Sequence, residues 1–339
     1  MKKKPAISLI ELDPSLATPV YKQIVQSIYR NIENGVLAKD DLLPSVNQIA
    51  AQFSLARGSV FAAYNDLRAS GIIDSIPGKG YYVSSTETRQ KQNIFLLFST
   101  FTPYKETLFN ALLNHLPKTS SLDIYFHYHS IKMFETLIKE QAAYYNTYII
   151  MPEVNADTPS ILSRLDPKNT YLLDVGYKEY KKLYPGVYQN FEKDIYSILM
   201  DSQHLVAKYK RLFLIFPDSL RTRDIISGFN KFSKKNIIHT EVKNRIAADQ
   251  IQKDDAFIVI DDNDLVKIIQ AAKQKKWKLG QDIGIISYNE TNLKSVIADG
   301  ITTITTDFAA MGKTIAEMAV SGKGEIVENA FIMIDRKSF

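Results

Sequence analysis

The chain has 339 residues, with 42 Lys or Arg against 37 Asp or Glu, a formal net charge of +5, and no cysteine. Its length predicts two or three domains, and the lack of cysteine excludes disulfides, thiolate metal sites and cysteine nucleophiles. No apolar run is long enough to span a bilayer or to form the core of a signal peptide, so we expect a cytoplasmic protein with no membrane partner.

The first predicted unit, residues 1–83, opens with two capped helices. Thr18 is the predicted N-cap of the first helix, and Pro19 occupies its first helical position. The second helix starts at Ser45, with Gln48 three residues later to complete a capping box.

A third helix begins near Arg57, after a turn of only three residues, and the pair predicts a helix-turn-helix. Two short strand-like runs follow, around the turn at residues 77–80. Three helices and a hairpin predict a winged helix. The apolar stripe of the third helix consists of Val60, Ala63, Tyr64 and Leu67.

The opposite face of the third helix is poor in charge, and it predicts a DNA contact. A recognition helix places its N-terminal residues at base edges in the major groove, where arginine pairs with guanine and asparagine with adenine. The net charge of this unit is only a weak argument for nucleic-acid binding, because residues 1–83 hold nine Lys or Arg against seven Asp or Glu. An alternative stays open for Phe61, which would then pack against a neighbouring domain. The face comprises Arg57, Ser59, Phe61 and Asn65.

Residues 18–83 resemble the GntR-type winged-helix domain, in TPVYKQIVQSIYRNIENGVL, LPSVNQIAAQFSLARGSVFAAYNDLRASGII and PGKGYYV. By position the resemblance implies DNA contacts from the helices and from the wing. Asn47 stands where the family commonly has an arginine, and some members have an arginine at Phe61. The implied contacts are Ser45, Arg57 and Ser59, with Gly78, Lys79 and Gly80 in the wing; Asn47, Phe61 and Asn65 complete the predicted surface.

The rest of the chain has a different texture. Residues 84–93 contain no apolar side chain and predict a linker. Residues 94–339 hold short apolar runs, most of them separated by helical segments, which predict a mostly parallel sheet covered on both faces. This length favours two doubly wound subdomains with a cleft between them. The predicted fold class is α/β with a small α+β domain. The runs are NIFLLF, LDIYFHY, TYIIMP, TYLLDV, RLFLIFP, NIIHTEV, AFIVID, DIGIIS and ITTITT.

Polar residues follow two of these strands, at Asp261–Asp262 and at Asn289–Glu290. Ligands of open parallel sheets bind outside the carboxyl ends of the strands, and carboxylates and amides there hold the adjacent hydroxyls of a sugar. Each acid has an alternative role as a helix N-cap.

Residues 282–339 resemble the C-terminal part of the LacI-type effector domain, which is itself similar to type I periplasmic sugar-binding proteins. The resemblance extends from residue 93 to the end. It implies crossovers near residues 187, 306 and 325, with Asn190 in the first and Thr302–Asp307 in the hinge. The family's ligand-clamping arginine is replaced by Ile225, which leaves Arg221, Arg223 and Asp224 as nearby polar candidates; Phe101 and Tyr104 are available to stack on a sugar or to fill the core.

We expect no catalytic residue, metal or cofactor. A fused aminotransferase-like domain would be longer than the segment available, and the histidines assemble with no serine in a nucleophile motif. His127 and His129 share a predicted strand face, with no third metal ligand in view. A plain solute-binding protein would not carry a winged helix, and a nucleic-acid packaging protein would be more basic.

These features together predict a DNA-binding transcriptional repressor. Homodimers would bind a palindromic double-stranded operator and release it when a monosaccharide enters the cleft. The combination resembles arabinose-type and L-fucose repressors of Bacteroidetes, which implies L-arabinose or L-fucose as the effector. Activation, or a response to a sugar phosphate or another metabolite, stays open.

Overall fold

The structure is a computed structural model that describes residues 6–87, 92–180, 182–218, 220 and 222–339. Arg221 and part of the predicted linker lie outside these residues. The chain divides into two compact units. One is formed by residues 1–97, 117–148 and 155–170, and the other by Phe98–Leu116, Ile149–Val154 and Tyr171–Phe339. The boundaries predicted at residues 83 and 93 stay predictions. Across the described ranges, every helix is too short or too polar to cross a membrane.

The N-terminal part of the first unit is a winged helix, as predicted. A 3-10 turn, Ala6–Leu9, precedes helices α1 (Val20–Glu33), α2 (Val46–Gln52) and α3 (Arg57–Ala69). Strands β1 (Ile73–Ile76) and β2 (Gly80–Val83) form the antiparallel hairpin. The helices and the hairpin share one apolar core.

The predicted cap of α1 is wrong. Pro19 occupies the N-cap position and no side chain caps the helix. Thr18 is instead 3 % exposed, and its hydroxyl lies 3.3 Å from that of Tyr148. The Thr18 hydroxyl, which local capping rules assign to the start of α1, instead lies beside a residue distant in sequence, Tyr148.

A first six-stranded sheet has the order β13-β7-β6-β5-β3-β4. Its strands are β3 (Asn93–Phe98), β4 (Ser121–Phe126), β5 (Thr147–Ile150), β6 (Thr170–Asp174), β7 (Gly186–Tyr188) and β13 (Ile326–Glu328). The helices in this region are α4 (Pro103–His115), α5 (Ile131–Gln141), α6 (Thr158–Leu162) and α7 (Tyr177–Tyr180).

A second six-stranded sheet has the order β14-β12-β11-β10-β8-β9 and is parallel except at β14. Its strands are β8 (Arg211–Ile215), β9 (His239–Lys243), β10 (Asp255–Val259), β11 (Gly284–Tyr288), β12 (Thr302–Thr306) and β14 (Phe331–Ile334). The remaining helices are α8 (Phe191–Asp201), α9 (Gln203–Val206), α10 (Asp224–Ser233), α11 (Asp262–Gln274) and α12 (Phe308–Ser321).

Both faces of the second sheet are covered, as a parallel sheet requires. On β8, Leu212 and Leu214 belong to the core that includes α8 and α10, whereas Phe213 and Ile215 belong to the core beneath α11. Gly228 allows α10 to approach α8 closely, because a β-carbon there would lie 2.3 Å from the carbonyl oxygen of Glu192.

The chain passes between the two sheets at three places. The extent of the predicted hinge differs at the second passage, and the position differs at the third. Thr302–Thr306 is a full strand of the second sheet, so the passage begins only at Asp307, the N-cap of α12. Residues 326–328 still pair with β7, which moves the passage predicted near 325 to Asn329–Ala330. The first passage follows Tyr188, the last residue of β7.

The strand face predicted for the two histidines is also wrong. Strand β4 ends at Phe126, and His127 and His129 lie in the turn beyond it, where His129 has a φ of 58°. His127 is fully buried, with its ring centroid 5.3 Å from that of Phe134. A buried histidine packed on an aromatic ring has a structural role.

Candidate nucleic-acid interface and ligand cleft

The helix-turn-helix is built by local interactions that the sequence predicts. The Ser45 hydroxyl accepts from the backbone N–H of Gln48 at 3.2 Å, and the Gln48 side chain accepts from the backbone N–H of Ser45 at 2.8 Å. The apolar stripe of α3 is fully buried, and the Tyr64 hydroxyl donates to the carbonyl of Pro44 at 2.6 Å. These contacts orient α3 relative to α2.

The opposite face of α3 is open to solvent. Arg57, Phe61 and Asn65 are exposed, Ser59 is half-buried, and Asn47 is exposed on α2. Phe61 is 50 % exposed, so half of its surface is free of any neighbouring residue. An arginine, an amide, a hydroxyl and an apolar ring side by side can read base edges and thymine methyl groups.

The wing places one cation at its tip. Gly78 and Gly80 have φ values of 81° and 97°, a conformation that side chains other than glycine rarely adopt. They present Lys79, which is exposed and whose backbone N–H donates to Ile76 at 3.0 Å. A lysine at this position suits a phosphate contact.

The acidic turn after β10 serves the fold. The Asp261 side chain caps α11, accepting from the backbone N–H of Asn263 at 2.7 Å. Asp262 forms an ion pair with Lys294 at 2.9 Å. Lys294 is 3 % exposed and also donates to the carbonyls of Tyr288 and Asn289, at 3.0 and 2.9 Å. This lysine, which the sequence analysis missed, joins the two predicted ligand turns.

Glu290, a predicted ligand residue, forms an ion pair within the protein. The guanidinium of Arg336 donates to both carboxylate oxygens of Glu290, at 2.9 Å each, and Thr303 donates to one of them. With both oxygens engaged, Glu290 anchors the turn after β11. Its neighbour Asn289, with a φ of 62°, remains half-buried at the same turn.

Asn190 lies at the first passage between the sheets, at the start of α8. Its side chain donates to Glu328 at 3.2 Å, and its backbone N–H donates to Asp194 at 3.1 Å. Burial, and secondarily the charge of Glu328, raise the pKa of the Asp194 carboxyl to about 7. Asp194 is therefore partly protonated near neutral pH and can both donate and accept.

The other predicted ligand residues differ in their exposure to solvent. Tyr104 packs on Phe308 with ring centroids 4.8 Å apart, whereas Phe101 is 50 % exposed. Arg223 is exposed at the start of α10. Ile225 belongs to the core between α8 and α10, so it does not take the role of the family's clamping arginine.

The structure also brings together a set of buried polar residues, which we call the cleft cluster. Lys105 on α4 is 4 % exposed and donates to the hydroxyl of Ser99 at 2.7 Å. Asp174, at the end of β6, accepts from the Gln189 amide. The oxygen of the Gln189 side chain and the hydroxyl of Tyr288 are buried with no hydrogen-bond partner. The cleft cluster comprises Ser99, Tyr104, Lys105, Asp174, Gln189, Asp194 and Tyr288.

Electrostatics tie this cluster together. Burial raises the pKa of Asp174, and the charge of Lys105 opposes that rise. Burial lowers the pKa of Lys105, which Asp174 opposes in turn. Burial, followed by Asp194 and Asp174, raises the pKa of Tyr288. Asp174 is the last residue of a strand, so the rule that polar residues at the carboxyl ends of strands bind ligands would have found it. Lys105 carries no comparable sequence signal.

Comparison with known proteins assigns the two parts separately. Residues 20–83 match the family described as bacterial regulatory proteins, gntR family, and residues 207–335 match the periplasmic binding protein-like domain. The transcriptional repressor YtrA of Bacillus subtilis is 36% identical over 76 residues, 22% of this chain and 58% of YtrA. The arabinose metabolism transcriptional repressor of Geobacillus stearothermophilus is 33% identical over 73 residues, 22% of this chain and 20% of that protein. The chain thus spans less than two thirds of either relative.

Solved structures share the fold of the larger part. A transcription regulator-like protein from Staphylococcus haemolyticus superposes with a TM-score of 0.60 at 13% identity, over 74% of this chain and 99% of that one. The lactose repressor bound to the anti-inducer ONPF superposes with a TM-score of 0.58 at 19% identity, over 73% and 99%. These matches confirm the predicted fold class.

Proposed function

We propose that this chain, which joins a GntR-family helix-turn-helix segment to a periplasmic-binding-protein-like domain with the fold of the lactose repressor, is a transcriptional repressor released from DNA by a small sugar. The observation that carries the proposal is the exposed face of α3, where Arg57, Phe61 and Asn65 stand beside the half-buried Ser59. The relatives named above are described as transcriptional repressors, which supports the same direction of control.

DNA contact would follow the pattern of other winged helices. Arg57 and Asn65 would read bases, and Ser45, Ser59 and Lys79 would hold phosphates. Asn47 and Phe61 would add contacts without charge, and Gly78 and Gly80 let the wing backbone approach the DNA. A homodimer would place two such surfaces on the half-sites of a palindromic operator.

The effector would be an uncharged polyhydroxylated molecule. The cleft cluster offers one cation, Lys105, against the carboxylates of Asp174 and Asp194, so a phosphate would add negative charge where carboxylates already lie. Gln189 and Tyr288 each present a buried oxygen that needs a partner, and sugar hydroxyls supply both donors and acceptors. This favours a monosaccharide such as L-arabinose or L-fucose over a sugar phosphate.

The DNA half is tested by selecting duplexes from a random pool and measuring their affinity by fluorescence anisotropy. Arg57→Ala should lower the affinity for the selected duplex by about 5- to 150-fold, which corresponds to the loss of one bidentate base contact worth about 1–3 kcal/mol. Arg68→Ala, which removes an arginine from the other end of the same helix, is the matched control. Equal affinities for Arg57→Ala and the wild type would remove the DNA half of the proposal.

The effector half is tested by thermal unfolding against a panel of pentoses, hexoses, deoxyhexoses and their phosphates, since a bound ligand raises the midpoint. Tyr288→Phe should leave the unliganded protein as stable as the wild type, because the lost hydroxyl has no partner, while it diminishes the shift caused by the sugar. Tyr209→Phe is the control. Its hydroxyl is also buried without a partner and lies against Gly284, at the opposite end of β11.

The panel result decides between the alternatives. If a sugar phosphate raised the unfolding midpoint and no free sugar did, the effector would be a sugar phosphate and not an uncharged sugar. If Tyr209→Phe weakened the sugar response as much as Tyr288→Phe, the cleft cluster would not be the binding site.

A further inference from the structure

The winged helix contacts residues 142–148 and 164–168 through a set of polar bonds inside the first compact unit. The backbone N–H of Ala17 donates to the carbonyl of Arg164 at 2.8 Å, and Lys22 donates to the carbonyl of Ala143 at 2.8 Å. We call this set the latch. It comprises Glu11, Ala17, Thr18, Lys22 and Arg30 on one side, and Ala143, Tyr148, Arg164, Asp166 and Lys168 on the other.

Thr18 and Tyr148 form the buried centre of the latch. They are 3 % and 0 % exposed, and their hydroxyls lie 3.3 Å apart. The single hydroxyl hydrogen of Tyr148 is shared between the carbonyls of Ala142 and Tyr145, at 3.0 Å each, so Thr18 is the donor in the bond between the two hydroxyls. Since burial raises the pKa of Tyr148 to about 12, the phenol stays neutral. A neutral threonine–tyrosine bond at the centre costs less desolvation than an ion pair would.

Ion pairs surround this centre. Arg30 lies 3.4 Å from Asp166, which is mostly buried, and 3.8 Å from Glu11. Glu11 also receives a bond from Lys168 at 2.5 Å. The segment before α1 therefore takes part in the latch, although it lies outside the residues that match the gntR family.

The seam beside the latch has mixed polar and apolar walls and is incompletely filled. A cavity of about 590 Å³ opens there, with walls that include Lys22, Gln26, Asp66, Asn146 and Tyr144. Contacts between domains that are polar and poorly filled resemble transient interfaces, unlike the dry interior of a permanent core. The latch is therefore built to hold the winged helix while still allowing it to separate.

The docked orientation leaves the DNA-binding face free. Asp66 and Ser70, from the C-terminal end of α3, line the cavity. Arg57 and Phe61, from the N-terminal half of the same helix, are exposed. The latch thus holds α1 and the segment before it, and it leaves Arg57 and Phe61 uncovered. Asn65 is also exposed, although it adjoins Asp66 in the cavity wall.

We infer that the latch holds the winged helix on its own effector domain in the orientation that binds DNA. In a homodimer this would present two winged helices to a palindromic operator at a fixed spacing, instead of on two free tethers. Prepositioning the second helix raises its effective concentration at the second half-site. This inference rests on the proposed function.

Docking itself can be measured without DNA, because the chain has no cysteine. The bond between Ala17 and Arg164 brings their backbones within the range that a disulfide spans. The full-length Ala17→Cys/Arg164→Cys variant should therefore form an intrachain disulfide under mild oxidation in native buffer, and much less of it in urea. The two single-cysteine variants are controls. Failure to crosslink faster in native buffer than in urea would overturn the docked arrangement.

The crosslinked protein then tests orientation. Oxidised Ala17→Cys/Arg164→Cys should bind the selected operator within about twofold of its reduced form. A loss of affinity on oxidation that is restored by reductant would mean that the docked state does not bind DNA, which overturns the inference.

Breaking the latch tests its contribution. Thr18→Val/Lys22→Met should lose at least about tenfold in affinity for the full palindrome and keep its affinity for a duplex with one half-site. Lys39→Met, which removes an exposed lysine elsewhere in the winged helix, controls for lost charge. Unchanged binding to the palindrome, or equal losses on both duplexes, would overturn the latch as a spacing device. If the wild type bound no selected duplex, the proposed function would fail, whereas the crosslink would still report docking.

Discussion

The recognition face and the cleft cluster are assembled in opposite ways. Arg57, Phe61 and Asn65 project from one helix into solvent, while the buried stripe on the other side of that helix carries the fold. Lys105, Asp174 and Tyr288 come from distant parts of the chain, and each is buried against the others' charges. Substitutions of the exposed side chains on α3 should therefore change binding alone, whereas removal of a charged group that has a buried partner in or near the cleft cluster should also change stability.

The largest effect should come from Arg336→Leu, beside the cleft. It leaves both oxygens of the Glu290 carboxylate without their guanidinium, in a site that is about three-quarters buried. We expect a loss of about 2–3 kcal/mol in the free energy of unfolding, measured by urea denaturation. Lys337→Leu is the control, because its ion pair with Asp335 is exposed and worth less than about 1 kcal/mol. Similar losses for both variants would contradict the assignment of Glu290 to Arg336.

Ser45→Ala should change both stability and DNA binding, since Ser45 serves both the fold and the proposed DNA surface. Loss of the capping box should cost about 1 kcal/mol of stability, together with a loss of operator affinity. Chemical denaturation and anisotropy measure the two effects. Ser45→Asp keeps the cap but places a negative charge near phosphate, so it should preserve stability and weaken DNA binding. Weak binding by Ser45→Ala and normal binding by Ser45→Asp would exclude a phosphate contact.

Asn47→Arg should strengthen DNA binding without changing stability, because it adds a cation to the proposed DNA-contacting surface. Asn47 is exposed on α2, so the unfolding midpoint should stay constant. If the new arginine meets a phosphate, affinity should rise for all duplexes, and the slope of log affinity against log salt should steepen by about one. An increase confined to the selected sequence would indicate a base contact instead. Asn34→Arg, exposed just beyond α1, is the control.

Asp194→Asn should change how stability depends on pH, while its effect at low pH stays small. Burial and Glu328 raise the pKa of this carboxyl from 3.8 to about 7. The unfolded chain therefore releases the proton at a lower pH than the folded chain does, so this group lowers stability as pH rises from about 4 to 7, and by a constant amount above. The melting temperature of Asp194→Asn, relative to wild type, should rise between pH 5 and pH 8. Asp201→Asn, exposed at the end of the same helix, should follow the wild type.

The sequence predicted those features that depend on near neighbours. The capping box of Ser45 and Gln48, the buried stripe of α3 and all nine apolar strands were confirmed, because caps and hydrophobic periodicity involve residues only a few positions apart. The exposed face of α3 was predicted from the same periodicity, since the residues outside the buried stripe of a helix face solvent. Strands β7, β13 and β14 were missed, being only three or four residues long.

The partners of the buried polar groups depend on contacts between distant parts of the chain. Thr18 has the composition of a helix cap but docks on Tyr148, and Glu290 follows a strand like a ligand residue but binds Arg336. Lys105 lies in an ordinary amphipathic helix, yet folding buries it within the field of Asp174. A buried polar or charged group needs a compensating partner. In these three cases the partner is tens of residues away in sequence, so no local pattern predicts it.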